Sequence, residues 1–210
     1  MGPKYLKAYD VIVSMQPKAI VPLESLLESI TNGQTPRLHD LSTGEVPFLT
    51  AEHVSDFRIN FDSDKRVTTQ QHEGELKRTQ LREGDILVTI KGRIGNAALI
   101  EGWSSPANIN QDVALLRVKK GIDPHYIVGY LNSAIGKALT KQVCTGQINP
   151  FLGLGNLRQI PIPLLEEPVM ERCGAQIRAE ISQAHQAYTE ASRLSAVAKR
   201  RIEALITGQE

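Results

Sequence analysis

PVMERCGAQIRAEISQAHQAYTEASRLSAVAKRRIEALI, residues 168–206, is the stretch on which the reading of this chain turns. Ile177, Ala184, Ala191, Ala198 and Leu205 recur every seven residues, and Ile181, Tyr188, Ser195 and Ile202 fill the offset that completes an a/d heptad seam. No proline interrupts the run after Pro168, Lys199, Arg200 and Arg201 sit where cations favour a helix C-terminus, and Gly208 supplies a stop. The pattern predicts one helix about 60 Å long, at ~1.5 Å per residue, which projects beyond any globular body the rest of the chain can build. Alanine along one side of the seam lets two helices approach closely. Residues 166–210 therefore read as a spacer and dimerisation helix, with Ile177, Ile181, Ala184, Tyr188, Ala191, Ala198, Ile202 and Leu205 as its contact positions.

Residues 1–165 carry enough apolar material for one globular domain, since the 210-residue chain is 41% hydrophobic. The net charge of +1 leaves the partner open, because a neutral average can hide a basic face opposite an acidic one. Cys144 and Cys173 have neither redox nor zinc spacing, and His39, His53, His72, His125 and His185 lack ligand spacing with one another or with the cysteines. No metal and no cofactor are expected. The start has no signal-peptide core and no apolar run reaches membrane length, so a cytoplasmic location without a membrane partner is expected.

Within the body, Tyr9, Val11 and Val13 alternate like a short strand, and residues 21–30 show apolar spacing suited to a short helix. Val46–Thr50 and Val54–Ile59 read as strands, and residues 62–82 as polar surface. Ile86–Ile90 is a β-branched run of central-strand type, Lys91-Gly92-Arg93-Ile94-Gly95 is a tight turn, and Asn96–Ile100 returns as its paired strand. Residues 106–112 form a second polar turn before a strand at Val113–Val118. A helix runs from Pro124 toward Leu139, a loop covers Thr145–Pro150, and residues 155–164 make a proline-punctuated strand. The sum is an α+β class: a mixed recognition body followed by one long C-terminal coiled-coil helix.

The order of Gly33-Gln34-Thr35-Pro36, Val46-Pro47-Phe48-Leu49-Thr50, Gly84-Asp85-Ile86-Leu87-Val88, Gly92-Arg93-Ile94-Gly95, Asn110-Gln111-Asp112, Tyr130-Leu131-Asn132-Ser133 and Ile160-Pro161-Ile162-Pro163-Leu164 ahead of the long helix resembles the specificity subunit of type I DNA restriction-modification systems. The resemblance spans Val21 to Ile206. The family's Pro-Pro-Leu-x-Glu-Gln signature is represented by Pro163-Leu164-Leu165-Glu166-Glu167-Pro168, without the second proline and the glutamine. The resemblance implies a target-recognition domain that reads half of a split sequence in double-stranded DNA, and a long helix that fixes the separation of two such domains. Family members ordinarily hold two domains and two antiparallel helices in one polypeptide, whereas this sequence has one of each. A second copy of the chain would complete the architecture through a two-fold axis. The implied partners are methyltransferase subunits, which carry S-adenosylmethionine, and an ATP-driven restriction subunit; the chain itself would be non-catalytic.

The residue types fit independently. Base readout uses Arg or Lys against guanine and Asn or Gln against adenine, while phosphates need cations and close-approaching backbone. Lys91, Gly92 and Arg93, Asn108, Asn110 and Gln111, and Gln147 and Asn149 supply these in three loops, and Arg37, Thr50, Lys65, Arg66, Lys77 and Arg78 widen the basic face. Taken singly, each reads first as an ordinary solvated loop residue, because loops are generally polar.

An enzyme reading fails on context. Phe151-Leu152-Gly153-Leu154-Gly155 matches a methyltransferase cofactor loop and Asn149-Pro150-Phe151 a catalytic loop, yet the two overlap and no alternating βα pattern surrounds them. Two other readings stay open at this point: a coiled-coil protein-binding adaptor without direct DNA readout, and a piece of a longer two-domain subunit.

Overall fold

A computed structural model of the chain describes residues 3–37, 41 and 43–208, with main chain only at 3–6. The elements begin with α1 (Pro3–Ser14), β1 (Ala19–Pro22), a 3-10 turn (Leu23–Leu26) and β2 (Leu27–Asn32), then β3 (Val46–Leu49), β4 (Val54–Ser55), β5 (Arg58–Ile59) and β6 (Arg66–Val67). After α2 (Thr69–Glu73) come β7 (Ile86–Thr89), β8 (Ala97–Leu99), β9 (Asn108–Ile109) and β10 (Val113–Val118). The chain closes with α3 (Pro124–Asn132), α4 (Ala134–Val143), α5 (Leu154–Arg158), β11 (Pro161–Leu164) and α6 (Glu167–Thr207).

The head is organised on a four-stranded antiparallel sheet in the order β2-β10-β7-β8. Its central strands are apolar on both faces because both faces are covered. Ile86 and Val88 of β7 and Ala114 and Leu116 of β10 look into one core with α3, α4 and α5, while Leu87, Val113 and Leu115 look into a second core with Leu49 and Ile109. That second core is roofed by the sheet β6-β3-β9, in which β3 and β9 run parallel. Strands β1 and β11 pair antiparallel and join the start of the head to the root of α6. Prolines in β11 donate no hydrogen bond, but their carbonyls still accept. Tyr126 and Tyr130, one turn apart on α3, donate hydroxyls to Pro163 O (2.5 Å) and Pro161 O (2.6 Å). Burial pushes the Tyr126 phenol up to about 12, so it stays a donor.

Several expectations are corrected. Tyr9, Val11 and Val13 lie on helix α1, whose Ala8 and Ile12 face the core one turn apart. Residues 21–30 form no α-helix: Leu23 N–H donates to Ile160 O (2.9 Å), and Leu27–Asn32 pairs with β10. A register shift at Arg117/Val118 inserts an extra residue opposite β10, so Leu27 and Ile30 both face inward at a spacing that imitates a helix. Residues 62–82 bury Ser63, Val67, Leu76, Thr79 and Leu81 around α2, and the turn at 106–112 contains buried β9. The helix expected from Pro124 toward Leu139 breaks at Ser133, which ends α3 and caps α4 through Gly136 N–H (3.1 Å). Residues 154–158 make a helical turn before β11. Of the polar loop expected at residues 31–40, positions 38–40 lie outside the described residues.

Helix α6 has 41 residues and ends at Gly208 with φ 66°, as its stop signal requires. Its seam is divided. Ile177 packs over Gly129 of α3, where any Cβ would collide with it, and Ile181 is buried. Farther along, Leu194, Ile202, Leu205 and Ile206 are 54–79% exposed. No helix among the described residues is long and apolar enough to cross a membrane.

Candidate functional site

The turn between β7 and β8 is pinned on all sides. Gly95 N–H donates to Thr89 O (2.8 Å), Asn96 N–H to the Thr89 hydroxyl (3.0 Å), and that hydroxyl to Arg93 O. Gly92 and Gly95 take φ 69° and 87°, where a side chain is strained. From α4, Lys137 Nζ donates to Gly95 O (2.8 Å), Asn96 Oδ1 (3.0 Å) and Asp56 (2.6 Å). With its main chain so held, the turn presents Lys91 and Arg93 to solvent, Lys91 lying 3.5 Å from the Asp112 carboxylate.

Two more loops meet this corner. Ile90 and Lys91 N–H donate to Asp112 O (2.8 and 3.3 Å), which draws the Asn110–Asp112 turn alongside. The Thr35 hydroxyl donates to Gln111 Oε1, and a Cβ at Gly33 would strike the Asn110 carbonyl, so the Gly33–Pro36 loop lies flat on that turn. On the far side Leu152 N–H donates to Ile90 O (2.9 Å), and the Thr145–Phe151 bridge closes an exposed loop bearing Gln147 and Asn149.

A second group surrounds α2. Lys77 and Arg78 are exposed on the 3-10 turn after it, and Arg37 N–H reaches Glu75 (3.4 Å), which connects this group to the Gly33–Pro36 loop. Lys65 and Arg66 are half-buried, the Arg66 guanidinium donating to Glu45 O (3.0 Å). Thr50 is buried as the cap of a 3-10 turn, its N–H donating to His53 Nδ1 (3.1 Å). Burial, and then the Lys65 charge, hold the His53 imidazole below its ordinary value of 6.5.

The expected residues therefore fall into three sets. Arg37, Lys77, Arg78, Lys91, Gly92, Arg93, Gln147 and Asn149 are open to solvent, while Lys65, Arg66 and Gln111 are partly covered. Thr50, Asn108 and Asn110 are buried: Asn108 contacts His72 Nδ1 (2.6 Å) and donates to Leu76 O (3.0 Å), and Asn110 bonds Asp112 within its own turn. Sequence reading missed Lys137, whose three acceptors come from residues 41 to 81 positions away, so that no local pattern signals it. Thr35 lay in a quoted motif, but its match to Gln111, across 76 positions, did not show there. Among the described residues no group of three or more His, Cys, Asp or Glu is arranged to hold a metal.

Residues 15–185 match the family model described as "Type I restriction modification DNA specificity domain". No curated protein sequence matches. The fold is similar to the type I restriction-modification S subunit from M. genitalium (TM-score 0.58, 11% identity, 81% of this chain and 41% of that one). It is also similar to the HsdS subunit from Thermoanaerobacter tengcongensis (TM-score 0.53, 18% identity, 90% and 47%), and to the type IIG restriction endonuclease BpuSI (TM-score 0.60, 9% identity, 84% and 28%). The chain thus spans less than half the length of the specificity subunits it matches. With the family model covering most of its length, from the strand pair at the root of the head to the first turns of the long helix, the chain belongs to the type I restriction-modification DNA specificity domain family.

Proposed function

We propose that the chain is the sequence-reading component of a type I restriction-modification system: its head reads one half-site of duplex DNA, and the distal part of α6 pairs with that of a second copy. The observation that carries the reading is the corner at Lys91-Gly92-Arg93, where two exposed cations stand on a main chain fixed by neighbouring strands and α4. A reader must hold its donors in place before DNA arrives, because ordering them on binding would weaken affinity. The proposed reading face comprises Arg37, Lys77, Arg78, Lys91, Gly92, Arg93, Gln111, Gln147 and Asn149, with Lys65 and Arg66 on its flank. Asn108, Asn110 and Thr50 support that face from beneath, since their polar groups are satisfied inside the protein.

The exposed seam residues Ala191, Ala198, Ile202 and Leu205 are the proposed dimer contacts, while Ile177 and Ile181 anchor the helix to its own head. Two identical readers related by two-fold symmetry require a palindromic split target. The chain acts without catalysis and directs methyltransferase and restriction subunits. Methylation mapping in a strain carrying the system tests this: a palindromic bipartite motif is expected, and a non-palindromic one overturns the homodimer. An electrophoretic shift with the partner subunits present separates the reader from a coiled-coil adaptor, which would leave the DNA unshifted.

A further inference from the structure

Past Ile181, every described residue of α6 is exposed except Val197 and Ala204, which are half-buried. Open grooves flank the helix where it leaves the head. One of 520 Å³ lies under Phe57, walled by Ile177, Ile181 and Ala184, and one of 600 Å³ lies beside Glu101, Arg178 and His185. Apolar packing of α6 against the head therefore ends at Ile181. Among the described residues a side-chain stack reaches farther: the Arg58 guanidinium sits 3.4 Å above the centroid of the Tyr188 ring.

Arg58 stands on the β4–β5 hairpin, which is itself tied to the reading corner. Phe57, at φ 62°, donates its N–H to Ala97 O (2.9 Å), Asn96 Nδ2 donates to Val54 O (3.3 Å), and Lys137 bridges Asp56 to Gly95. We infer that Arg58 and Tyr188 are positioning residues that set the angle between the reading head and the spacer helix, and with it the gap between half-sites that the protein accepts. The inference rests on the two-headed reading above. From Ile181, its last buried contact, to the end of α6 the helix is about 39 Å long, at ~1.5 Å per residue. A swing of roughly 5° about that contact moves its tip by about 3.4 Å, one base step of duplex DNA. The stack at Tyr188, beyond that pivot, opposes such a swing.

The test uses the full chain with its methyltransferase partner on duplexes that carry the mapped half-sites at the natural gap and at one base pair more or fewer. The wild type should methylate the natural gap selectively. Arg58→Ala, which leaves the seam untouched, should erode that selectivity by about three- to tenfold while half-site sequence preference and solution mass stay unchanged. Arg58→Lys, which keeps a cation beside the ring, should retain more of the selectivity than Arg58→Ala. Unchanged gap selectivity in Arg58→Ala overturns the positioning role alone, as does a loss of half-site preference. A wild type with no fixed gap overturns the two-headed reading, and this inference with it.

Discussion

The carboxylate of Asp123 lies against Gly174, so α3 and α6 meet where one of them has no side chain. Asp123 also caps α3 by accepting His125 N–H (2.9 Å), and it lies 3.6 Å from the Arg178 guanidinium. The root of the spacer helix is thus a glycine fitted against the side chain that caps α3.

Gly174→Ala should test that junction. The new methyl would collide with Asp123 and displace the cap, a cost that exceeds the gain of about 1 kcal/mol from alanine's helix propensity. A net loss of about 2 kcal/mol is expected, read as a fall of roughly 4–8 °C in thermal midpoint.

Arg117 forms a bidentate pair with buried Asp85 (2.8 and 3.1 Å), and Asp85 also accepts Arg82 N–H (2.9 Å). Arg117→Met leaves that carboxylate without its cation inside the head. A destabilisation of about 3–5 kcal/mol is expected in chemical denaturation. A smaller loss should follow Arg117→Met with Asp85→Asn, because no charge is then stranded.

Lys91→Ala with Arg93→Ala should leave the thermal midpoint nearly unchanged, since both side chains are exposed and the Lys91–Asp112 pair is a surface contact. DNA affinity should fall, and the slope of log K against log salt should shrink by about 1–2. Unaltered affinity would remove the corner from the reading face.

Ile202→Glu with Leu205→Glu places charge on the exposed distal seam. Sedimentation should report a shift from twice the chain mass to the chain mass, with the head's unfolding unaffected. A wild type that already sediments as a monomer at micromolar concentration would refute the proposed pairing.

His53 is favoured in its neutral form, accepting Thr50 N–H, and burial lowers its affinity for protons in the folded state. The unfolded chain then binds the proton more tightly. Stability contributed by neutral His53 is complete above pH 6.5 and is lost as pH falls through the lowered folded value. His53→Asn, which keeps an acceptor near the Nδ1 position, should flatten the acid side of the stability profile measured by denaturant titration.

The long helix, the central strands and the glycine corner are legible along the chain because each is a local pattern: a seven-residue repeat, a β-branched run, a cation between glycines. The family is legible too, through the order of short motifs. Which of those residues face out depends on contacts made in three dimensions. Asn108 and Lys91 are equally polar in the sequence, but pairing of β9 with β3 buries the first and the hairpin exposes the second. Likewise the heptad seam repeats evenly from Ile177 to Leu205, while Gly129 and Phe57, distant in the chain, take its first turns for the head and leave its distal half, from Ala191 on, uncovered. A repeat states that a stripe needs a partner; only contacts between residues far apart in the chain decide which surface that partner is.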